Sequence, residues 1–153
     1  MATPRTLNEL FFGGLDRYGQ RPVVLRAKVD GAWRDIGAAE VKETVQCLAA
    51  GLRELSITPG SNVAILSENR PEWAYVDFGC LTARCADVPI YPTLPAGQIS
   101  YILRDSGAVA IFVSSKAQLE KILSIRQPDV TPALRHIIAM DDDATGPGVM
   151  PFA

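Results

Sequence analysis

From Asn62 to Met140 the chain alternates short apolar runs with amphipathic stretches, a rhythm that few architectures accommodate. Val63–Leu66, Val88–Tyr91, Val109–Val113 and Ile137–Met140 have the length and β-branched content of buried strands. Between them, 71–84, 96–105 and 115–124 carry narrow apolar stripes, among them Ile99, Ile102, Leu103 and Leu119, Ile122, Leu123. Each connection exceeds the ten or so residues that a parallel return needs. The expected fold class is therefore α/β, a mainly parallel sheet with crossover helices. Pro89 lacks a donor for the ladder, so the strand around it belongs at an edge or an irregularity.

Ahead of this unit, Thr6-Leu7-Asn8-Glu9 has capping-box spacing, and Leu7, Leu10, Phe11, Leu15 and Tyr18 fall on one helical face that Gly19 can end. Val23–Val29 and Ala32–Ile36 flank Asp30-Gly31, a two-residue hairpin signal. Val41, Val45, Leu48, Leu52 and Leu55 then mark a helix that starts after Gly37 and stops before Pro59-Gly60. Further caps are legible. Asn69 precedes Pro71 and Glu72, Ser115 with Gln118 repeats the box, and Ser106-Gly107 closes a helix. The expected organisation is one domain over residues 1–140, with 141–153 as a Gly- and Pro-containing loop or disordered tail.

Composition narrows the function classes. Fifteen basic against seventeen acidic residues give a formal charge of −2, which argues against a nucleic-acid partner. The longest apolar run, 107–113, is far short of the roughly 18 residues that cross a bilayer, and no signal-peptide pattern follows the N-terminus. Cys47, Cys80 and Cys85 are odd in number and form no Cys-x-x-Cys, so neither a disulfide framework nor a metal site is expected, and a reducing cytoplasm fits.

Ligands of open parallel sheets sit beyond the carboxyl ends of the strands. Here those ends read Ser67-Glu68-Asn69-Arg70, Tyr91-Pro92-Thr93, Ser114-Ser115-Lys116 and Asp141-Asp142-Asp143. Asn69, Arg70 and Thr93 are the candidates for a substrate-channel or structural loop, although capping accounts for Asn69, solvated surface for Arg70 and Glu68, and a turn for Thr93. No glycine-rich phosphate loop is present, and Thr145-Gly146-Pro147-Gly148 lacks the lysine that would meet phosphate charge. His136 has no serine or cysteine placed by a motif, so a structural histidine is expected and no catalytic or metal residue is assigned. The Asp141–Asp143 run suits solvent better than a cation, and Trp33 and Trp73 are expected as core or interface anchors.

The block Pro59-Gly60-Ser61-Asn62-Val63-Ala64-Ile65-Leu66-Ser67-Glu68-Asn69-Arg70-Pro71-Glu72-Trp73 resembles the N-terminal part of AMP-forming acyl-CoA synthetases. So, in order and spacing, do Asp87–Pro95, Ile99–Ala108 and Ile111–Val113, with the flavour of long-chain fatty-acid ligases. One departure is Cys85-Ala86, where relatives usually place a glycine before the alanine. A side chain there is expected to alter helix-to-strand packing.

The resemblance implies a parent enzyme that uses ATP and Mg²⁺ to convert a carboxylate to an acyl-adenylate, then passes the acyl group to coenzyme A. The family's Ser/Thr/Gly-rich phosphate loop, its ribose-binding aspartate and its catalytic lysine have no counterpart in these residues. The chain is thus expected to be an inactive N-terminal subdomain with no cofactor of its own and the rest of the ligase as partner. Its uncovered apolar face would let it self-associate. A non-catalytic binding or interaction module on the same scaffold, and a piece of a fatty-acyl-AMP ligase, are the alternatives.

Overall fold

The computed structural model describes residues 4–21, 23–29 and 31–152. Helix α1 (Leu7–Tyr18) starts at Thr6, whose hydroxyl accepts from the Glu9 N–H at 3.1 Å, while Glu9 reaches back to the Arg5 N–H. It packs through Phe11, Phe12 and Leu15, with Phe11 stacked on Phe78 at 3.8 Å between ring centroids. The expected apolar face is only half right, because Leu7 and Leu10 are 61% and 57% exposed and Tyr18 carries Arg17 and Arg21 instead of a core contact. Strands β1 (Leu25–Val29) and β2 (Ala32–Ile36) pair antiparallel, with Gly31 at φ +82°. Asp30 of the expected turn lies outside the described residues. Trp33 is 66% exposed on this hairpin and anchors no core, unlike Trp73, which packs against the sheet.

Helix α2 (Ala38–Glu54) follows, then β3 (Asn62–Leu66), α3 (Pro71–Thr82), β4 (Ala86–Ile90), α4 (Ala96–Ser106), β5 (Ala110–Val113), α5 (Lys116–Ile125), β6 (His136–Ala139) and β7 (Val149–Pro151). The last five strands form a parallel sheet in the order β4-β3-β5-β6-β7. Pro89 lies on the edge strand β4, opposite Ile65, where a missing donor costs little. Reading 141–153 as loop or disorder fails at β7: three residues of the tail pair with β6, and Met150 and Phe152 pack against the core. Strand ends that face two ways divide the interior. Leu66, Ile111, Val113 and Ile137 pack under α4 and α5, whereas Val63, Ile65, Phe112 and Ile138 pack under α2 and α3.

Gly107 ends α4 in the left-handed conformation at φ +62°. At the α3–β4 junction the left-handed residue is Arg84, at φ +63°. Cys85 beside it buries its side chain in the second core, with its Sγ donating toward the Thr58 carbonyl. Here Asp77 of α3 meets Asp87 of β4, and burial, followed by the charge and hydrogen bond of Asp87, pushes the Asp77 carboxyl up to about 6. An unfolded aspartate titrates near roughly 3.9, so the ionised form is the one folding penalises. The contribution of Asp77 to stability is full below that value and is lost as pH rises through 6. Asp77→Asn should remove the fall. With solvent screening discounted, the variant gains about 1 kcal/mol on the parent sequence between pH 5 and pH 8 in urea titrations.

The handedness of parallel connections fixes which sheet face is covered. The β4–β5, β5–β6 and β6–β7 connections all step the same way along the sheet, and all cross the α4/α5 face. Ala144 of the last connection joins that core, and Arg126 at the end of α5 donates to the Pro147 carbonyl. Opposite, over β5–β7, the described residues place the flank of α2 and Phe152, which meets Phe112 edge-on, and leave a groove of about 580 Å³. Leu48, Leu52, Leu55, Phe112, Ile138 and Met150 form its floor and walls.

Candidate functional site

The carboxyl ends of β3, β4, β5 and β6 are held together by polar side chains. Glu68, just past β3, accepts from the Ser114 hydroxyl at 2.5 Å and from Gln118 Nε2 at 3.1 Å. Gln118, 6% exposed on the first turn of α5, also donates to the Pro92 carbonyl at 3.2 Å. Lys121, one turn on, donates to the same carbonyl at 2.6 Å and to that of Leu94 at 3.1 Å. Arg70 completes the set. Its Nε meets Glu72 at 2.7 Å, and its Nη1 meets Asp141 at 2.7 Å and the Ser114 carbonyl at 3.1 Å.

Electrostatics follow from this arrangement. Burial pushes the Glu68 carboxyl up, but hydrogen bonds from Ser114, its own backbone and Gln118, with the charge of Arg70, outweigh it and hold the group below the usual carboxylate range. For Arg70, burial favours the neutral form and is overcome by its bonds and charges with Glu72 and Asp141, which raise it further. Both shifts favour the charged forms, Glu68 as carboxylate and Arg70 as guanidinium.

Asn69 and Arg70 do lie at this edge, but Asn69 does not cap α3. The N-cap is Arg70, extended at φ −155°, with no side-chain cap bond, and Asn69 is exposed. Pro71 at the first turn needs no donor partner, which lowers the demand for a cap. Ser115 is the N-cap of α5 but makes no side-chain cap bond, and the side chain of Gln118 goes to Glu68 and Pro92, so neither half of the box forms. Thr93 is exposed in the turn before α4 and joins no bond of the network. Sequence reasoning passed over Lys121 and the bridging part played by Gln118. Their partners are 26 to 50 residues away, so no local pattern announces them. His136 sits at the other end of the sheet, where burial, then Arg135 and Arg126, lower its pKa.

This edge does not suit a magnesium–nucleotide complex. Arg70 and Lys121 are committed to carboxylates and carbonyls, and Asp141, Asp142 and Asp143 add negative charge where a triphosphate would need positive. Among the described residues, no group of three His, Cys, Asp or Glu side chains is placed to hold a metal ion. What the edge can do is fix four loops in register.

A family signature described as AMP-binding enzyme matches residues 13–149. The chain belongs to that family. A long-chain-fatty-acid–CoA ligase, FadD15, of Mycobacterium bovis is 34% identical over 116 residues, covering 76% of this chain and 19% of the ligase. Long-chain-fatty-acid–CoA ligase 1 of Cavia porcellus is 27% identical over 139 residues, covering 90% of this chain and 20% of that protein. The crystal structure of the anthranilate CoA ligase AuaEII with anthranoyl-AMP superposes with a TM-score of 0.82 at 21% identity, covering 99% of this chain and 28% of that one. A Mycobacterium tuberculosis fatty acyl CoA synthetase superposes at 0.73 with 25% identity. The fold is that of the N-terminal region of adenylate-forming ligases, and this chain spans about a fifth of the length of the curated relatives it matches. No helix among the described residues is long and apolar enough to cross a membrane.

Proposed function

We propose that the chain is the N-terminal scaffold of an ATP-dependent, AMP-forming long-chain fatty acyl-CoA ligase of the cytoplasm. In the parent, carboxylate oxygen attacks the α-phosphorus of ATP and pyrophosphate leaves. The thiol of coenzyme A then attacks the acyl carbonyl and AMP leaves. The observation that carries this reading is the committed state of the strand-end polar groups in a chain matching a fifth of its ligase relatives. Arg70, Glu68 and Lys121 spend their hydrogen bonds within this edge, while Asn69 and Thr93 stand exposed outside the network. In this reading Asn69, Arg70 and Thr93 belong to a structural loop beside the substrate path, and the groups that handle phosphate belong to the rest of the ligase.

Calorimetric titration of this chain with ATP, coenzyme A and a long-chain acyl-CoA should register no binding. Submicromolar binding of any of them would favour a stand-alone module instead. The open groove should also let the isolated chain self-associate weakly. Glu43 and Glu54 line it, and like charges oppose that contact, so sedimentation should show more association at high salt than at low. A clean monomer at high protein concentration in both would count against an uncovered face.

A further inference from the structure

We infer that the groove between α2 and β5–β7 is the seat of an apolar segment carrying basic residues, supplied by the remainder of the parent polypeptide. This rests on the ligase reading above. A parallel sheet is ordinarily covered on both faces, yet every connection that steps across β5, β6 and β7 runs on the α4/α5 side. The opposite face therefore has to be covered by chain from elsewhere. The matched relatives are about five times as long as the stretch they share with this chain, so the parent has ample chain to supply a cover.

Charge selects among occupants. Glu43 and Glu54 line the groove on the α2 side, no basic side chain lines it, and neither glutamate has an ion-pair partner among the described residues. A second copy would bring its own glutamates against these, whereas a segment with Lys or Arg flanking its apolar contacts neutralises them. Fatty acid is disfavoured for the same reason, since its carboxylate would meet an acidic rim.

Cys47 reports on the groove directly. It is an exposed thiol among the lining residues, while Cys80 and Cys85 are buried and pushed to higher pKa, first by burial. Alkylation with a small maleimide should modify Cys47 freely in the 153-residue chain and about tenfold or more slowly in the full-length parent. In the parent, Glu43→Lys with Glu54→Lys should restore much of the rate, with the near-ultraviolet dichroism unchanged, and in the short chain the same pair should leave the rate alone. Equal rates in the short chain and the parent would overturn the inference. So would protection that grows with concentration in the short chain and matches that of the parent, which would assign the groove to a second copy. Protection insensitive to the charge reversal would overturn the basic character of the segment. Pyrophosphate release by the same parent preparation separates the two claims. An active parent with unprotected Cys47 sinks the groove assignment alone, and a protected but inactive parent sinks the ligase reading alone.

Discussion

Gly79→Ala is expected to destabilise the chain by about 1–2 kcal/mol, against the usual gain of alanine over glycine inside a helix. A Cβ at this buried position of α3 would overlap Leu48 Cδ2, and would also stand 3.1 Å from Cγ and 3.2 Å from Cβ of the same side chain. Rotating the leucine moves Cδ2 and Cγ but leaves its Cβ at 3.2 Å, tighter than ordinary van der Waals contact, so α2 and α3 must give at this point. The test is a cycle. In a Leu48→Ala background the obstruction is gone, and Gly79→Ala should become stabilising by up to about 1 kcal/mol through helix propensity. Urea midpoints of the four proteins measure both signs, and the same sign in both backgrounds would refute the close approach. Because Leu48 also lines the groove, Leu48→Ala should weaken salt-promoted self-association as well.

The second large effect belongs to Arg70. Arg70→Ala leaves the carboxylates of Glu72 and Asp141 partly buried without their partner and the Ser114 carbonyl without this donor. The expected loss is about 2 kcal/mol, below that of a fully buried pair because all three side chains keep some solvent. Arg70→Lys should recover little, since one ammonium cannot span Glu72, Asp141 and the carbonyl in the geometry of the guanidinium fork. Glu68 gives the network a pH signature of known sign. Its folded pKa is depressed, so its contribution is present above roughly pH 4 and is lost as pH falls through the folded value. Glu68→Gln should flatten that acid limb, while leaving intact the opposite decline from Asp77, which sets in as pH rises through 6.

Much of the scaffold was legible because its determinants are local. The change of rhythm at Asn62, the missing donor of Pro89 and the left-handed Gly107 each act within a few residues, and each appears where expected. The errors share a cause. Asn69 and Ser115 are good cap types but cap nothing, while their neighbours Arg70 and Gln118 bond across the sheet to partners that no local pattern reveals. Strand β7 was hidden by glycine and proline around three residues, too few for any periodicity, and exists because β6 offers an open ladder. The face of α1 was misjudged because Phe78 and its neighbours draw in Phe11 and Phe12 and leave Leu7 and Leu10 to solvent. The resemblance to acyl-CoA synthetases came from several colinear blocks of residues and agrees with the family match, while the polar network that gives the edge its character is visible only in three dimensions.

The decisive measurement is pyrophosphate release from ATP in the presence of a long-chain fatty acid, made on the purified 153-residue chain and on the full-length parent under one set of conditions. The parent should release it only when the fatty acid is added, and the short chain should release none. Release by the short chain alone would mean that the strand-end residues handle phosphate after all, and the assignment of these residues to a scaffold would be wrong.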